Sequence, residues 1–263
     1  MSRLTVDNST LGRDTQPVGC DNIAGVNVLA LYDIHGNIDA LEAVLADPRA
    51  QSPDLVLVGG DAVPGPFAQR TLDRLAPLDA RWIRGNGERE VAEAVDGPDP
   101  DPDDLAGVTA KITAAELGPE TSKALGELPL TLELDGVLYC HATPRADDEM
   151  VTRISTPERW AEVLSTTTAP LVVAGHTHQQ DDRVVGETRF VNAGSVGLPY
   201  EGDGAARWLW IADGVPELRR TTYDHRAAGE RMRERWPDVR SIGAALTDPV
   251  EPLEVTKIFE SLI

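Results

Sequence analysis

The chain has 263 residues, of which 44 are acidic and 24 basic, giving a formal net charge of -20 at pH 7. A protein this acidic offers no basic face to a nucleic-acid backbone or an anionic membrane, so we expect it to bind neither. A small anionic substrate is not excluded, because bound divalent cations reverse the local charge of a site.

The N-terminal half alternates short strands with helices. Residues 1–24 are polar and aperiodic, and we predict that they form a loose tail. Apolar spacing predicts a helix that begins near Ile38 and stops before Pro48, and a second helix near 67–75. Such alternation is typical of parallel strands covered on both faces. Three short runs predict the strands: Val26–Leu31, Leu55–Val58 and Arg81–Arg84.

The second half has a different pattern. Gly97–Asp104 predicts a surface loop, and 105–128 predicts helix broken at Gly118-Pro119. Further on, 157–165 predicts a helix, 171–174 a buried strand, and the part after about residue 225 a helical extension. Hairpins later in the chain favour mixed sheets over one parallel sheet. Three hairpins are predicted, at 130–141, 183–191 and 207–222.

Cysteine content and hydropathy bear on the compartment. Cys20 and Cys140 are the only cysteines, too few for a disulfide framework, which favours a reducing cytoplasm. The N-terminal sequence lacks the apolar core of a signal peptide, and no apolar run is long enough to span a bilayer. We therefore predict a cytoplasmic protein without a membrane segment.

Polar side chains follow the ends of the predicted strands. Ligands of open α/β sheets bind at the carboxyl ends of strands, so these side chains should converge. Two pairs are separated by one residue, which in an extended segment directs both side chains to the same side. Carboxylate and imidazole groups bind Mn, Fe, Zn or Ni ions, and a bridged ion pair activates water for attack on phosphorus. The residues are Asp33, His35, Asp61, Asn86, His141, His176 and His178.

Together these motifs resemble the calcineurin-like metallophosphoesterases, in particular their small bacterial and archaeal phosphodiesterase branch. The resemblance spans about residues 26–222, and 192–197 is similar to the Asn-Pro-Gly-Ser-Val-Gly stretch of that branch. The matching motifs, in family order, are Asp33-Ile34-His35, Gly60-Asp61, Gly85-Asn86-Gly87-Glu88, His141 and Gly175-His176-Thr177-His178.

The resemblance implies a fold and a set of ligands. The fold would be a four-layer αββα sandwich of two mixed β-sheets flanked by helices. Residues 25–222 would form the metallophosphoesterase domain, with 223–263 as a helical extension packed on it. The implied cofactors are two divalent transition-metal ions, with Mn²⁺ expected first and Fe, Zn or Ni compatible. One ion would be held by Asp33, His35 and His178, the other by Asn86, His141 and His176, with Asp61 as the bridge.

The predicted catalytic residues are Asp61, Asn86 and His141, but one motif position departs from the family. Gly87 stands where relatives have a histidine that steadies the transition state or protonates the leaving group. General acid catalysis contributes about 10²–10⁴-fold, so poor leaving groups should suffer most. The small phosphodiesterase branch often lacks this histidine too. We therefore predict hydrolysis of small phosphodiesters or activated phosphoesters by attack of metal-bound hydroxide on phosphorus.

Two arginines are weaker candidates. Arg145 and Arg84 are predicted to contact substrate oxygens, because arginine pairs bidentately with phosphate. Arg84 could equally pair with a surface carboxylate. The fifth histidine, His225, lies outside the motifs, and we expect it to be solvated.

Three other functions stay open. Ser195, Asp213 and His225 occur in the order used by serine hydrolases with a nucleophile elbow. However, Ala193 replaces the first elbow glycine, Leu198-Pro199 prevents a following helix, and four histidines would be left without a role. A phosphoprotein or phosphomonoester phosphatase would use the same metal site. A non-catalytic scaffold is disfavoured, because every ligand position is kept.

Overall fold

A computed structural model describes residues 25–263, with only the backbone of residues 240–242. The predicted tail, 1–24, lies outside the described residues. The strands are β1 (Asn27–Leu31), β2 (Leu55–Val58), β3 (Arg81–Trp82), β4 (Thr131–Leu134), β5 (Val137–Cys140), β6 (Leu171–Ala174), β7 (Asp181–Val185), β8 (Thr188–Asn192), β9 (Ala206–Ala212) and β10 (Val215–Thr221). The helices are α1 (Ile38–Ala46), α2 (Ala68–Leu75), α3 (Asn86–Asp96), α4 (Leu105–Leu117), α5 (Pro119–Gly126), α6 (Pro157–Val163), α7 (His225–Arg235), α8 (Arg240–Thr247) and α9 (Pro252–Glu260).

The strands form two five-stranded sheets, in the orders β10-β9-β1-β2-β3 and β4-β5-β6-β8-β7. Three strands run parallel in each sheet: β1, β2 and β3 in the first, and β5, β6 and β8 in the second. Antiparallel neighbours complete both, as the predicted hairpins required. The expectation of mixed sheets is therefore confirmed.

Three layers of buried apolar side chains hold the sheets and helices together. Val28, Leu57, Val137 and Val173 belong to the core between the two sheets. The other face of the first sheet packs on α1, and that of the second packs on α6 through Trp160. The structure thus confirms the predicted four-layer sandwich, in which both sheets are covered by helices.

Helix α3 was not predicted, although its first residue is a predicted ligand. The glycines on either side of Asn86 lower helix propensity and conceal the start of the helix. The carboxylate of Glu88, three residues after Gly85, accepts the Gly85 N–H at 2.9 Å and so caps the N-terminus. The helix therefore places Asn86 and Glu90 on one face, one turn apart.

The helices after residue 222 pack on the rest of the structure. Helices α7 and α8 bury Met232 and Leu246 against Leu198. His225 contradicts the expectation of a solvated side chain: it is half-buried, and its Nδ1 lies 2.6 Å from the Leu246 carbonyl oxygen. The domain boundaries at residues 25 and 222 stay a prediction. Within residues 25–263, no helix has the length and apolar character needed to cross a membrane.

Candidate metal centre

The fold brings the strand ends of both sheets to one place. Asp33 and His35 follow β1, Asp61 follows β2, and Asn86 begins the helix that follows β3. On the second sheet, His141 comes directly after β5, and His176 and His178 follow β6. Because these strands are parallel neighbours within each sheet, their carboxyl ends lie side by side.

The backbone at these positions is not extended, contrary to the sequence-based expectation. Asp33, His35, Asp61, His176 and His178 all have positive φ angles, between 49° and 67°. Non-glycine residues rarely adopt this left-handed conformation, and where they do they concentrate at functional sites. Each strand turns sharply at its end, so the turns, rather than the strand pleat, direct the side chains into the site.

One group of ligand atoms consists of Asp33, His35 and His178. The Nε2 atoms of His35 and His178 are 3.1 Å apart, and Asp33 Oδ1 is 3.3 Å from His178 Nε2. Two atoms bound at about 2.0–2.2 Å to one ion lie roughly 3–3.5 Å apart. The spacing of this group therefore fits a shared cation.

A second group consists of Asp33, Asp61 and His141. Asp61 Oδ2 is 3.6 Å from His35 Nε2 and 3.5 Å from His141 Nε2. Asp61 thus lies close both to His35 of the first group and to His141 of the second, which is the position expected of a bridging carboxylate.

Four buried polar atoms around this point have no hydrogen-bond partner in the described part of the chain. A buried polar atom without a partner costs about 1–3 kcal/mol, so such groups are normally satisfied. Bound cations accept such lone pairs, and the donor set of carboxylate, amide and imidazole suits divalent transition metals. The four atoms are Asp33 Oδ1, Asn86 Oδ1, His141 Nε2 and His176 Nε2.

Backbone carbonyl groups orient three of the histidines. The Nδ1 atoms of His35, His141 and His178 lie 3.3, 2.9 and 2.7 Å from the carbonyl oxygens of residues 64, 59 and 198, respectively. A carbonyl can only accept, so each Nδ1 donates its N–H to a carbonyl group, and Nε2 is the nitrogen left to bind a cation. This arrangement is typical of histidine ligands of metals.

The electrostatics of the site also favour a cation. Burial and the imidazole groups of His178 and His141 act in opposite directions on the Asp33 carboxyl, and its pKa is lowered. Burial opposes protonation of His141, yet the carboxylates of Asp61 and Asp33 raise its pKa to about 10. Burial, with His141 nearby, lowers the pKa of His176 to about 4. Without a cation, the site therefore holds a proton on one imidazole between two carboxylates.

Glu88 is a supporting residue to which the sequence analysis assigned no role. Its side chain is fully buried. It accepts N–H groups from Asp61 at 2.8 Å, Gly85 at 2.9 Å and Val63 at 3.2 Å. One carboxylate therefore connects the loop after β2 to the start of α3. Burial and the Asp61 carboxylate raise the pKa of Glu88 to about 7.

Glu90 orients the predicted ligand Asn86. Its Oε1 accepts the Asn86 Nδ2–H at 3.1 Å, while Asn86 Oδ1 is buried without a partner. Because the amide nitrogen donates to Glu90, the buried oxygen is the amide atom left without a protein partner and free to bind a cation. Spacing of four residues on a helix would have revealed this pair, had the helix been recognised.

Gly87, the departure from the family motif, has no room for a side chain. A Cβ atom would lie 2.4 Å from Pro64 Cδ, 2.6 Å from the Val63 carbonyl oxygen and 2.8 Å from Asp61 Oδ1. The Gly87 N–H instead donates to Asp61 Oδ1 at 2.7 Å, which orients the second oxygen toward the site. The Pro64 ring, the Val63 carbonyl group and the Asp61 carboxylate thus occupy the space that a histidine side chain would need.

Both predicted substrate-binding arginines form ion pairs. Arg84 Nε donates to the buried carboxylate of Asp147 at 3.0 Å. Arg145 Nε donates to Glu149 at 3.0 Å, and its Nη2 also contacts Glu162 at 3.1 Å. Either arginine would have to leave a carboxylate to bind phosphate, and their role in substrate binding stays a prediction.

Ser195 supports the fold rather than forming a catalytic triad. Its buried hydroxyl donates to the Asp33 carbonyl oxygen at 2.7 Å and accepts the Leu198 N–H at 2.7 Å. His225, which a serine hydrolase would need beside it, binds the Leu246 carbonyl instead. Asn192 likewise shapes its loop, through hydrogen bonds to the Gly175 carbonyl and from the Gly194 N–H.

Comparison with known proteins agrees with this geometry. A metallophosphoesterase from Sphaerobacter thermophilus is 22% identical, with a TM-score of 0.67 over 84% of this chain and 99% of its own. A hypothetical protein of Pyrococcus horikoshii OT3 is 19% identical, with a TM-score of 0.71 over 86% of this chain and 99% of its own. At these identities the likeness concerns the fold alone. No curated protein matches. Residues 26–210 match the model of the calcineurin-like phosphoesterase superfamily domain, and the chain belongs to that superfamily.

Proposed function

We propose that the protein is a phosphoesterase that uses two divalent metal ions to hydrolyse phosphodiesters or activated phosphoesters. The proposal depends above all on the four buried, unpartnered ligand atoms and on the close approach of His35 to His178. Imidazole, carboxylate and amide donors favour manganese, iron, zinc or nickel, and manganese is our first expectation. Bound there, two such ions would supply Lewis acidity and a nucleophile at neutral pH.

The residues of the chain prepare the site for that chemistry. The Asp61 carboxylate lies close to both His35 and His141, so it would be a ligand of both ions. The carbonyl groups behind His35, His141 and His178 accept each Nδ1–H, so Nε2 is the nitrogen that would bind an ion. Because the ligands are held by these contacts before any ion binds, little reorganisation is required on binding.

The closed position at Gly87 supports a preference among substrates. No side chain at position 87 can protonate the leaving group, because Pro64 and Val63 occupy that space. The absence of a general acid lowers the rate by about 10²–10⁴-fold, and the loss is greatest for leaving groups of high pKa. We therefore propose small phosphodiesters and activated esters as the substrate class, rather than alkyl phosphomonoesters.

A metal-reconstituted assay tests the proposal. The Mn²⁺-loaded protein should hydrolyse bis-p-nitrophenyl phosphate faster than p-nitrophenyl phosphate. Asp61→Asn and His141→Ala should each lose more than about 100-fold in activity, because ligands matter more than their supports. Asp213→Asn, at an exposed aspartate with nearly the same positive φ as Asp61, is the matched control and should keep its activity.

Other outcomes would favour the alternatives. A strong preference for the monoester would point to a phosphomonoester or phosphoprotein phosphatase on the same site. Stoichiometric metal without hydrolysis of any ester would point to a scaffold. Activity that survives chelation would contradict a metal-dependent reaction altogether.

A further inference from the structure

We infer that the C-terminal helix α9, outside the superfamily match at 26–210, positions the predicted ligand His178 through Tyr200 and Gln179. The inference rests on the proposed function, since it assigns a role toward one of the two ions. It makes Phe259 and Thr256 positioning residues, because neither is itself a ligand.

An aromatic stack lies behind the His178 ring. The Tyr200 ring is stacked on the imidazole, with centroids 4.9 Å apart and an angle of 14° between the planes. The Tyr200 N–H also donates to the His178 carbonyl oxygen at 3.1 Å. Phe259 of α9 contacts the Tyr200 ring by its edge, at a centroid distance of 5.8 Å. The orientation of His178 therefore depends on a ring that α9 supports.

The residue after His178 is bound directly to α9. Gln179 is 2% exposed, and its Oε1 accepts the Thr256 hydroxyl at 2.7 Å. Its Nε2 donates to the carbonyl oxygens of Pro252, at 2.8 Å, and Tyr200, at 3.1 Å. Both ends of the Gln179 amide thus bind the loop of His178 to α9, and its nitrogen also binds Tyr200.

The carbonyl that sets the tautomer of His178 also depends on the extension. His178 Nδ1 lies 2.7 Å from the Leu198 carbonyl oxygen. The Leu198 side chain packs against Met232 of α7 and Leu246 of α8. Three helices of the extension therefore meet the loops that hold this one histidine.

The other ligands have supports of a different origin. His141 and His35 bind the carbonyl oxygens of Gly59 and Pro64, both within the superfamily match. Loosening α9 should therefore affect the ion at Asp33, His35 and His178 far more than the ion at His141. General destabilisation of the fold would not separate the two ions in this way.

Titration of the full-length protein with Mn²⁺ alone tests the inference. The wild type should bind two ions. Phe259→Ala and Thr256→Val should each lower the affinity for one ion by about 10–100-fold, which is the usual effect of removing a residue that supports a metal ligand. The affinity for the other ion should stay unchanged. The Co²⁺-loaded variants should show a changed visible absorption band for one ion only.

Matched variants keep the experiment decisive. Thr256→Ser keeps the hydroxyl and should restore wild-type binding, and Ile258→Ala changes an exposed neighbour on the same helix. Val163→Ala destabilises the core between α6 and the second sheet, in which no residue of α9 takes part. The inference, but not the proposed function, would be overturned if Phe259→Ala and Thr256→Val bound both ions as tightly as wild type does. It would also be overturned if both variants lost affinity equally at the two ions. A wild type that binds no Mn²⁺ would overturn the proposed function and this inference with it.

Discussion

Two ligands that follow the first sheet, Asp61 and Asn86, are supported by charged side chains, whereas His178 on the second is supported by neutral groups. Glu88 accepts the backbone N–H of Asp61, and Glu90 accepts the side chain of Asn86. His178 instead contacts the Leu198 carbonyl group and the Tyr200 ring.

This difference separates two ways of stabilising a metal site. Buried carboxylates hold N–H groups strongly, but their charge is costly to bury and depends on pH. Carbonyl groups do not titrate, and burial raises the pKa of the Tyr200 phenol further above neutral, but both supports depend on packing, here on α9. The first set of ligands should therefore respond to charge and pH, and the second to changes in the C-terminal helices.

Glu88→Ala should have the largest effect on the charged side. It leaves three buried N–H groups, those of Asp61, Gly85 and Val63, without an acceptor. We expect a loss of about 3–5 kcal/mol in the free energy of unfolding, measured with urea. Glu93→Ala, on the exposed side of the same helix, is the control. A loss below about 1 kcal/mol would contradict the supporting role of Glu88.

The pH dependence of the metal-free protein should be the next largest effect. The pKa of Glu88 is raised from 4.5 to about 7, so the folded state holds this proton more tightly than the unfolded chain. Its stabilising contribution is full below pH 4.5 and is lost as the pH rises through 7. Relative to Glu88→Gln, wild type should lose up to about 3 kcal/mol between about pH 5 and about pH 8.

Urea unfolding of both proteins in a chelator, at a series of pH values, measures this difference. Tyr200→Phe should run parallel to wild type over the same range, because the support of His178 carries no titrating group at these pH values. Parallel curves for wild type and Glu88→Gln would show instead that Glu88 keeps an ordinary pKa.

Gly87→Ala should be harmful, not neutral. The added Cβ meets Pro64 and Val63 at 2.4 and 2.6 Å, so the backbone must shift. Overpacking of this kind costs about 1–3 kcal/mol, and here it would also displace the N–H bound to Asp61. Thermal unfolding and Mn²⁺ titration measure both effects. Gly118→Ala is the control, because no atom lies near its Cβ position. It separates the effect of overpacking from the effect of replacing a glycine, to which the positive φ of Gly118 adds strain.

The candidate ligands could be identified in the sequence because their signals are local. Asp61 and His141 each end a recognisable strand, and a motif order links strands that are far apart in the chain. The sandwich of mixed sheets followed from the same strands and hairpins, with the family resemblance supplying the four layers.

The supports could not be predicted in the same way. Every residue has a carbonyl group, so nothing in the sequence distinguishes Leu198 or Gly59 as the partner of a histidine. The contact between Tyr200 and Phe259 joins segments that only tertiary packing brings together. His225 was expected in solvent for the same reason, since its partner on α8 cannot be inferred from local pattern.

Glu90→Ala should have the smallest effect. It tests whether the Glu90 carboxylate orients the side-chain amide of Asn86. Without Glu90, the Asn86 Nδ2–H loses its acceptor, and the amide can rotate to present nitrogen instead of oxygen to the site. We expect about a 10-fold loss in affinity for one Mn²⁺ ion, at the lower end of the range for supporting residues. Glu90→Gln keeps an acceptor oxygen and should bind nearly as wild type does. If Glu90→Gln were as damaged as Glu90→Ala, the negative charge, rather than the orientation of Asn86, would be the contribution of this residue.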